Sequence, residues 1–117
     1  EASSDIAAII IEPISAFENR QATPMFYKSL RLMAKTEGIP FIVDETRTGV
    51  GATGKMWGHE HWYLNERDGG APDIVTFGGR AGISGYYSSR DFVNDAGFEQ
   101  NINMVDVLSF GATWQAI

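Results

Sequence analysis

Apolar runs mark the places where the chain is expected to form strands. Residues 6–11 are a continuous run of Ile and Ala that ends at a Glu-Pro pair. A run of this kind is typical of a strand buried on both faces of a parallel sheet. Residues 41–43 form a second such run, and residues 74–77 a third. Residues 85–88 are a weaker strand candidate.

The chain between the first two runs has a helical pattern. Residues 15–23 are polar and irregular, which predicts a loop. Thr23-Pro24 then resembles an N-cap followed by a first-turn proline, and Gly38 suits the position just beyond the last turn. The apolar face is expected at i, i+4 and i+7, that is Phe26, Leu30 and Met33. The pattern predicts a strand–helix–strand unit in an α/β fold with a mostly parallel sheet.

Asp44 is the strongest candidate for chemistry. It directly follows the second apolar run, and ligands of open α/β sheets bind beyond the carboxyl ends of the strands. A turn-capping role is the simpler interpretation of an isolated Asp at such a position. Residues 48–73 then form a long, glycine-rich connection, which is typical of a functional loop or of small local elements.

Composition narrows the function classes. The 117 residues suffice for one modest domain, and the net charge of −6 disfavours nucleic acid as a partner. No apolar run approaches the roughly 20 residues of a membrane span. The absence of cysteine excludes disulfides and thiolate metal sites, and suits a reducing compartment. We see no signal peptide, and we expect residues 1–117 to be one partial domain, an internal piece of a larger fold.

Two rival motifs suggest other chemistry. Residues 49–56 nearly fit a phosphate-binding P-loop, but they end at Met56, which cannot coordinate Mg²⁺, and four residues separate them from the strand. A nucleotide binder is therefore the less favoured alternative. His59 and His61 could suggest a metal site, but no third ligand stands at useful spacing. A structural role beside Trp57 and Trp62 is favoured, and no metal is expected.

The chain resembles the class-III pyridoxal-phosphate (PLP) aminotransferases, especially those of the 4-aminobutyrate (GABA) type. The resemblance rests on Ile-Ile-Ile-Glu-Pro at residues 9–13 and on Pro-Phe-Ile-Val-Asp-Glu-Thr-Arg-Thr-Gly at residues 40–49. It also rests on Lys-Met-Trp-Gly-His-Glu-His-Trp at residues 55–62. It implies part of the large domain of a fold-type-I PLP enzyme, a mostly parallel sheet with crossover helices, normally in a homodimer. It also implies amino transfer from GABA or another ω-amino acid to a 2-oxo acid, 2-oxoglutarate, in the mitochondrial matrix or the cytosol.

The resemblance also implies roles for individual residues. Asp44 would hold the protonated pyridine nitrogen of PLP, which lets the ring accept electrons. Thr46 would pack on the ring where relatives have Val, and Arg47 would stand where their Gln contacts the ring hydroxyl. Thr113 would bind the cofactor phosphate of the neighbouring subunit. Glu12 would be a substrate-site carboxylate that normally pairs with a distant Arg.

The same resemblance shows what is missing. Relatives end the later strand in Thr-Phe-Ser-Lys, whereas this chain has Thr-Phe-Gly-Gly-Arg at residues 76–80, so Gly79 takes the Schiff-base position. An imine needs a primary amine, and a guanidinium is a poor nucleophile. Residues 15–19 also lack the glycines of the family's loop. We expect no catalytic residue and no covalent PLP in this chain, which alone should be inactive. The alternatives are a catalytically dead paralogue that binds PLP or a partner subunit, and a divergent gene fragment or sequence error.

Overall fold

A four-stranded sheet forms the centre of the structure, a computed structural model that describes residues 5–80 and 82–92. The strands are β1 (Ile9–Ile11), β2 (Phe41–Asp44), β3 (Ile74–Phe77) and β4 (Gly85–Ser88). They lie in the order β1-β2-β3-β4. The first three are parallel and β4 is antiparallel to β3. The predicted α/β fold with a mostly parallel sheet is confirmed, as is the weaker candidate at residues 85–88.

The helix α1 (Pro24–Glu37) connects β1 to β2 and begins and ends as its sequence predicts. The Thr23 hydroxyl accepts the backbone N–H of Phe26 at 3.3 Å, which satisfies one of the otherwise unpaired first-turn donors. Gly38 ends the helix at φ 68°, a left-handed conformation that glycine adopts without steric cost.

The predicted apolar face of α1 is wrong by one residue. Phe26 and Met33 are 50% and 53% exposed, and Leu30 is only partly buried. The buried residues are Tyr27, Arg31 and Ala34, which have the same i, i+4, i+7 spacing. A count of apolar residues misses this face because two of its members are amphipathic.

Polar partners allow Tyr27 and Arg31 to be buried. The Tyr27 hydroxyl donates to Pro13 O at 3.1 Å, and its ring stacks on Trp62 with centroids 4.0 Å apart. Arg31 forms a two-pronged ion pair with Asp73, at 2.8 and 3.1 Å. This pair joins α1 to the start of β3. The core between α1 and the sheet consists of Tyr27, Ala34, Ile39, Phe41, Val43, Trp62 and Val75.

The expectation that the first strand is buried on both faces is also wrong for the described chain. β1 lies at the edge of the sheet, spans only Ile9–Ile11, and leaves Ile10 69% exposed. The physical reason is that α1 covers one face of the sheet. Residues that pair in a parallel sheet point to the same side, so Ile10, Ile42 and Ile74 form a row on the opposite face.

The connection from β2 to β3 contains no α-helix. Turns and bends occupy residues 46–57, and two 3₁₀ helices follow, Gly58–Trp62 and Glu66–Asp68. Trp62 returns to the core from this connection, so the loop packs against the same face as α1. Within the described ranges, no helix combines the length and apolar character needed to cross a membrane.

Candidate cofactor-binding site

Asp44 ends β2 at the carboxyl edge of the sheet, directly opposite Thr76 of β3. Its Oδ1 accepts the backbone N–H of Thr46 at 2.9 Å and the Thr76 hydroxyl at 3.2 Å. Its Oδ2 has no hydrogen-bond partner among the described residues, and the residue is only partly buried. One carboxylate oxygen is therefore held in place while the other is available to a ligand.

Thr46 lies against the end of β3. A Cβ built on Gly78 would be 3.8 Å from Thr46 Cγ2, and one built on Gly79 would be 3.4 Å from Thr46 O. The structure thus brings together Asp44, Thr46 and the segment that replaces the family's Ser-Lys. Proximity within one sheet edge is what the parallel topology predicts, because the carboxyl ends of β2 and β3 are neighbours.

The backbone at Gly79 disfavours a side chain. Gly79 has φ 65°, in the left-handed region that costs an L-residue about 1–2 kcal/mol. Arg80 has no positive φ; its N–H donates to Gly78 O at 2.8 Å and its side chain is exposed. A lysine at position 80 would therefore meet less backbone strain than one at position 79.

The three lysines of the chain lie elsewhere. Lys28 on α1 is 3.4 Å from Asp68 Oδ2, and Lys35 is exposed in the last turn of the same helix. Lys55 places its ammonium 4.5 Å from the centroid of the Tyr63 ring. These contacts engage two of the amines, and each lysine belongs to α1 or to the connection after β2 rather than to the end of β3.

The remaining predicted site residues are not brought to Asp44 by any described contact. Arg47 is exposed, and its Nη2 donates to Asn19 Oδ1 at 3.4 Å. Glu12 accepts the backbone N–H of Ala16 at 2.7 Å, which folds the loop after β1. Thr113 lies outside the described residues. The roles expected for these three residues therefore stay predictions.

Glu45 is the residue of this region that the sequence reasoning passed over. It is 1% exposed, and its carboxylate accepts four hydrogen bonds. The donors are the Thr48 hydroxyl, the backbone N–H of Gly58 at 2.9 Å, and His59 through its backbone N–H at 2.7 Å and its Nδ1 at 2.9 Å. The one available signal was an acid directly after a buried strand, since His59 is fourteen residues away and its pairing cannot be read from local sequence.

Two pKa values change in this cluster. Burial by itself would raise the pKa of Glu45, but the hydrogen bonds from His59, Thr48 and Gly58 stabilise the anion and lower it below its ordinary value. Burial also raises the pKa of Tyr87 to about 12, and the negative charges of Glu45 and Glu60 add to that effect. Glu45 is therefore a buried, charged carboxylate, and it contributes negative potential beside Tyr87.

Neither the histidine pair nor the P-loop-like segment has the geometry that metal or phosphate binding needs. His59 turns to Glu45, whereas His61 Nε2 lies 3.0 Å from Thr53 O. Across residues 5–80 and 82–92, no three His, Asp or Glu side chains converge on a possible metal position. A P-loop leads directly into a helix whose N-terminus binds phosphate. Residues 49–57 instead form turns and bends before a short 3₁₀ helix.

Comparison with known protein families places the chain in one family. The family model for class-III aminotransferases matches residues 1–116. The chain belongs to the class-III aminotransferase family. The expectation drawn from the residues 40–62 and the strand ends is thereby confirmed at the level of the family.

Several curated relatives carry the same name, 4-aminobutyrate aminotransferase. The protein from Dictyostelium discoideum is 47% identical over 74% of this chain. The Caenorhabditis elegans relative, named probable and mitochondrial, is 45% identical over 72%. The mouse relative, also named mitochondrial, is 39% identical over 74%. The class-III aminotransferase chain spans 17% of the length of each of these relatives.

Solved structures show the same fold. The lysine aminotransferase of Mycobacterium tuberculosis matches with a TM-score of 0.65 and 32% identity, covering 74% of this chain and 19% of its own. A transaminase from the marine bacterium Virgibacillus matches with a TM-score of 0.57 and 34% identity, covering 64% of this chain and 16% of its own. The large-domain fold expected for this class-III aminotransferase chain is confirmed.

Class-III aminotransferases are PLP enzymes in general, and the described residues fit one half of that cofactor's requirements. Asp44 offers an oxygen at the correct edge of the sheet for a protonated ring nitrogen. The end of β3 does not fit the other half, since glycines and Arg80 stand where an amine is needed. The described residues therefore offer a carboxylate oxygen at the end of β2 and no primary amine at the end of β3.

Proposed function

We propose that residues 1–117 are a segment of the PLP-binding large domain of a longer, 4-aminobutyrate aminotransferase-like polypeptide. The support is the run of relatives with that name, at 39–47% identity in the three proteins compared. The inferred substrates of the whole protein are GABA or another ω-amino acid as donor and 2-oxoglutarate as acceptor.

The observation that carries this proposal is the geometry of Asp44. Its Oδ1 is fixed by Thr46 and Thr76, and its Oδ2 has no partner in the described part of the chain. PLP bound there would supply an electron-accepting ring, and Asp44 would hold the proton on the ring nitrogen. In this proposal Thr46 lies beside the ring and Arg47 near its hydroxyl. Thr113 contacts the phosphate across a homodimer interface, and Glu12 belongs to the substrate site.

A second candidate function is supported by the end of β3. Gly78, Gly79 and Arg80 provide no primary amine, and Gly79 has a backbone conformation unfavourable to one. A protein of this kind would hold PLP by its ring and phosphate alone, or would serve as a partner subunit without turnover. In this candidate the family fold is retained for binding rather than for amino transfer.

We also propose a mitochondrial location for the parent protein. The nematode and mouse relatives are named as mitochondrial, whereas none of the relatives compared favours the cytosolic alternative by name. Import of a tagged full-length polypeptide into isolated mitochondria is the direct test, and retention in the soluble cytosolic fraction of intact cells would contradict it.

Equilibrium PLP binding to the full polypeptide tests the role of Asp44. We expect Asp44→Asn to weaken binding by about tenfold or more, because the amide cannot stabilise a protonated ring nitrogen as a carboxylate does. The matched control is Asp68→Asn, the same change at an acid that pairs with Lys28 on α1. Equal affinity of Asp44→Asn and the wild type would contradict the proposed site.

Turnover distinguishes the two candidate functions. The full polypeptide is mixed with GABA, 2-oxoglutarate and PLP, and glutamate formation is followed. PLP binding with no glutamate above the rate of PLP alone supports the binding protein. Sustained glutamate production, lost in Asp44→Asn, supports the transaminase, with the amine supplied from a position other than the end of β3.

A further inference from the structure

Glu45 joins the two ends of the loop that follows β2. Its side chain accepts the Thr48 hydroxyl at the start of the loop, and the backbone N–H groups of Gly58 and His59 at its end. The loop of residues 48–59 is therefore closed by one buried carboxylate. A buried charge with several charge-assisted hydrogen bonds is costly to disturb, because any donor left unpaired in the interior is penalised.

The backbone of Glu45 is fixed on both sides as well. Its N–H donates to Thr76 O of β3 at 2.8 Å, and its carbonyl accepts the N–H of Gly49 at 2.8 Å. These bonds hold the residue between the neighbouring strand and the loop. Glu45 thus has fixed positions for its N–H, its carbonyl and its carboxylate.

Asp44 lies next to this anchored residue. It is covalently joined to Glu45, and its Oδ1 accepts the N–H of Thr46, the residue on the other side of Glu45. Because side chains alternate along an extended chain, the two acids point to opposite sides. Asp44 faces the sheet surface that carries Ile42 and Thr76, while Glu45 is buried against the loop. Any rotation of the backbone at Glu45 would move both oxygens of Asp44.

We propose that Glu45 is a positioning residue that fixes the direction of the Asp44 carboxylate for the cofactor ring. The proposal rests on the proposed PLP-binding function for its functional meaning. Glu45 itself does not contact the cofactor. It acts through its hydrogen bonds to the backbone N–H groups of Gly58 and His59. The direction of the Asp44 carboxylate at the sheet edge is thus set by a buried group behind it. At metal sites, supporting residues of this kind typically matter about 10–100-fold, and binding sites in general need such support.

The test compares Glu45→Gln with Asp68→Asn in the full polypeptide. Both changes turn an acid of the β2–β3 connection into its amide. Asp68 accepts the N–H of Asn65 at 3.2 Å and pairs with Lys28, so it too anchors a local turn. The first readout is amide hydrogen exchange of Thr46, whose N–H donates to Asp44, without PLP. The second readout is the PLP dissociation constant.

The proposal predicts faster exchange at Thr46 in Glu45→Gln, by about tenfold beyond any change at Ala34 in the helix, as expected for loss of a hydrogen bond to a charged group. It also predicts an increase of about tenfold in the PLP dissociation constant. Asp68→Asn should leave both quantities within about twofold of the wild type. A merely structural role would raise exchange at Thr46 and Ala34 alike.

Two outcomes would overturn the proposal. One is faster exchange at Gly58 and His59 only, with Thr46 unchanged. The other is an unchanged dissociation constant in Glu45→Gln. If the wild type itself does not bind PLP, the proposed function is contradicted, and exchange at Thr46 still decides whether Glu45 orients Asp44.

A milder variant keeps the test decisive if Glu45→Gln does not fold. His59→Phe removes the Nδ1 donor to Glu45 but preserves an aromatic ring near Trp62, whose centroid is 6.1 Å from that of His59. We expect the same two changes in smaller measure, about threefold for the loss of one of four hydrogen bonds. No change in either quantity would contradict the proposal.

Discussion

The ends of β2 and β3 lie side by side at the same edge of the sheet, yet they are built very differently. At the end of β2, Glu45 is 1% exposed and its carboxylate accepts four hydrogen bonds, while Asp44 is held by Thr46 and Thr76. At the end of β3, Gly79 and Arg80 are exposed, and the described bonds are local turn contacts such as Arg80 N–H to Gly78 O.

In the proposed site, the two groups that PLP needs come from different strands. The carboxylate for the ring nitrogen comes from one strand, and the amine for the Schiff base comes from another. In our proposal, the packing and hydrogen bonds around Glu45 fix the position of the Asp44 carboxylate without a cofactor. Gly79 and Arg80 at the end of β3 are exposed, so their side-chain positions contribute little to the packing of the fold.

The largest loss of stability should come from breaking the buried ion pair between α1 and the residue that precedes β3. Asp73 directly precedes β3, pairs with Arg31 and accepts the N–H of Phe41 at 2.9 Å. Asp73→Ala leaves a buried Arg31 without its partner, which costs about 3–5 kcal/mol. Urea unfolding of the full polypeptide, followed by tryptophan fluorescence, measures the loss.

An exposed ion pair provides the control for that prediction. Glu18 and Arg20 lie 3.9 Å apart with side chains 65% and 82% exposed. Glu18→Gln should therefore change the unfolding free energy by less than about 1 kcal/mol. Equal changes in the unfolding free energy of Asp73→Ala and Glu18→Gln would show that the buried pair does not stabilise the fold.

Adding one methyl group to each strand end sharpens the comparison. A Cβ on Gly49 would lie 2.8 Å from Glu45 O and 2.8 Å from the Trp57 ring, whereas one on Gly78 would meet Ser84 Cβ at 3.1 Å. Gly49→Ala should cost about 1–3 kcal/mol through overpacking, and Gly78→Ala clearly less. A larger loss of stability for Gly78→Ala, by the same unfolding measurement, would contradict the tighter packing assigned to the residues after β2.

Introducing a lysine at the end of β3 tests its backbone strain directly. Gly79→Lys should destabilise the protein by about 1–2 kcal/mol because of its left-handed backbone. Arg80→Lys should stay within about 0.5 kcal/mol of the wild type, since it is an exposed exchange of one cation for another. Comparable stability of the two variants would contradict the strain assigned to Gly79.

The smallest expected effect is the pH dependence of stability that Glu45 causes. The folded pKa of Glu45 lies below its ordinary value of 4.5 because His59, Thr48 and Gly58 stabilise its anion. As the pH falls below about 4.5, the unfolded chain takes up this proton before the folded chain does, so stability falls. Glu45→Gln should lack this part of the acid loss, whereas Glu66→Gln should retain it. Parallel acid titrations of stability in both variants would contradict it.

Local signals were enough to predict the frame of the molecule. Apolar runs located the strands, Thr23 and Gly38 located the helix ends, and a strand-end position singled out Asp44. The helix face was missed because Tyr27 and Arg31 are buried through polar partners in other parts of the chain. Hydrophobic periodicity does not detect burial of that kind.

The candidate site was predicted only in part, for a related reason. Asp44 and Thr46 are two positions apart in sequence and are joined by a hydrogen bond. Glu45 depends on Gly58 and His59 at the far end of a loop, and that closure is a tertiary contact with no sequence signature. Gly79 was recognised as a missing lysine, but its left-handed backbone became visible only with the structure.

In the proposed site, Asp44 supplies the carboxylate for the cofactor ring, whereas the end of β3 carries no primary amine. The most direct measurement is the absorbance of the full polypeptide with PLP, before and after borohydride, followed by mass analysis of its peptides. We predict that PLP binds and that borohydride leaves no reduced adduct on any peptide of residues 1–117. A visible imine band that borohydride fixes on Lys28, Lys35 or Lys55 would contradict it.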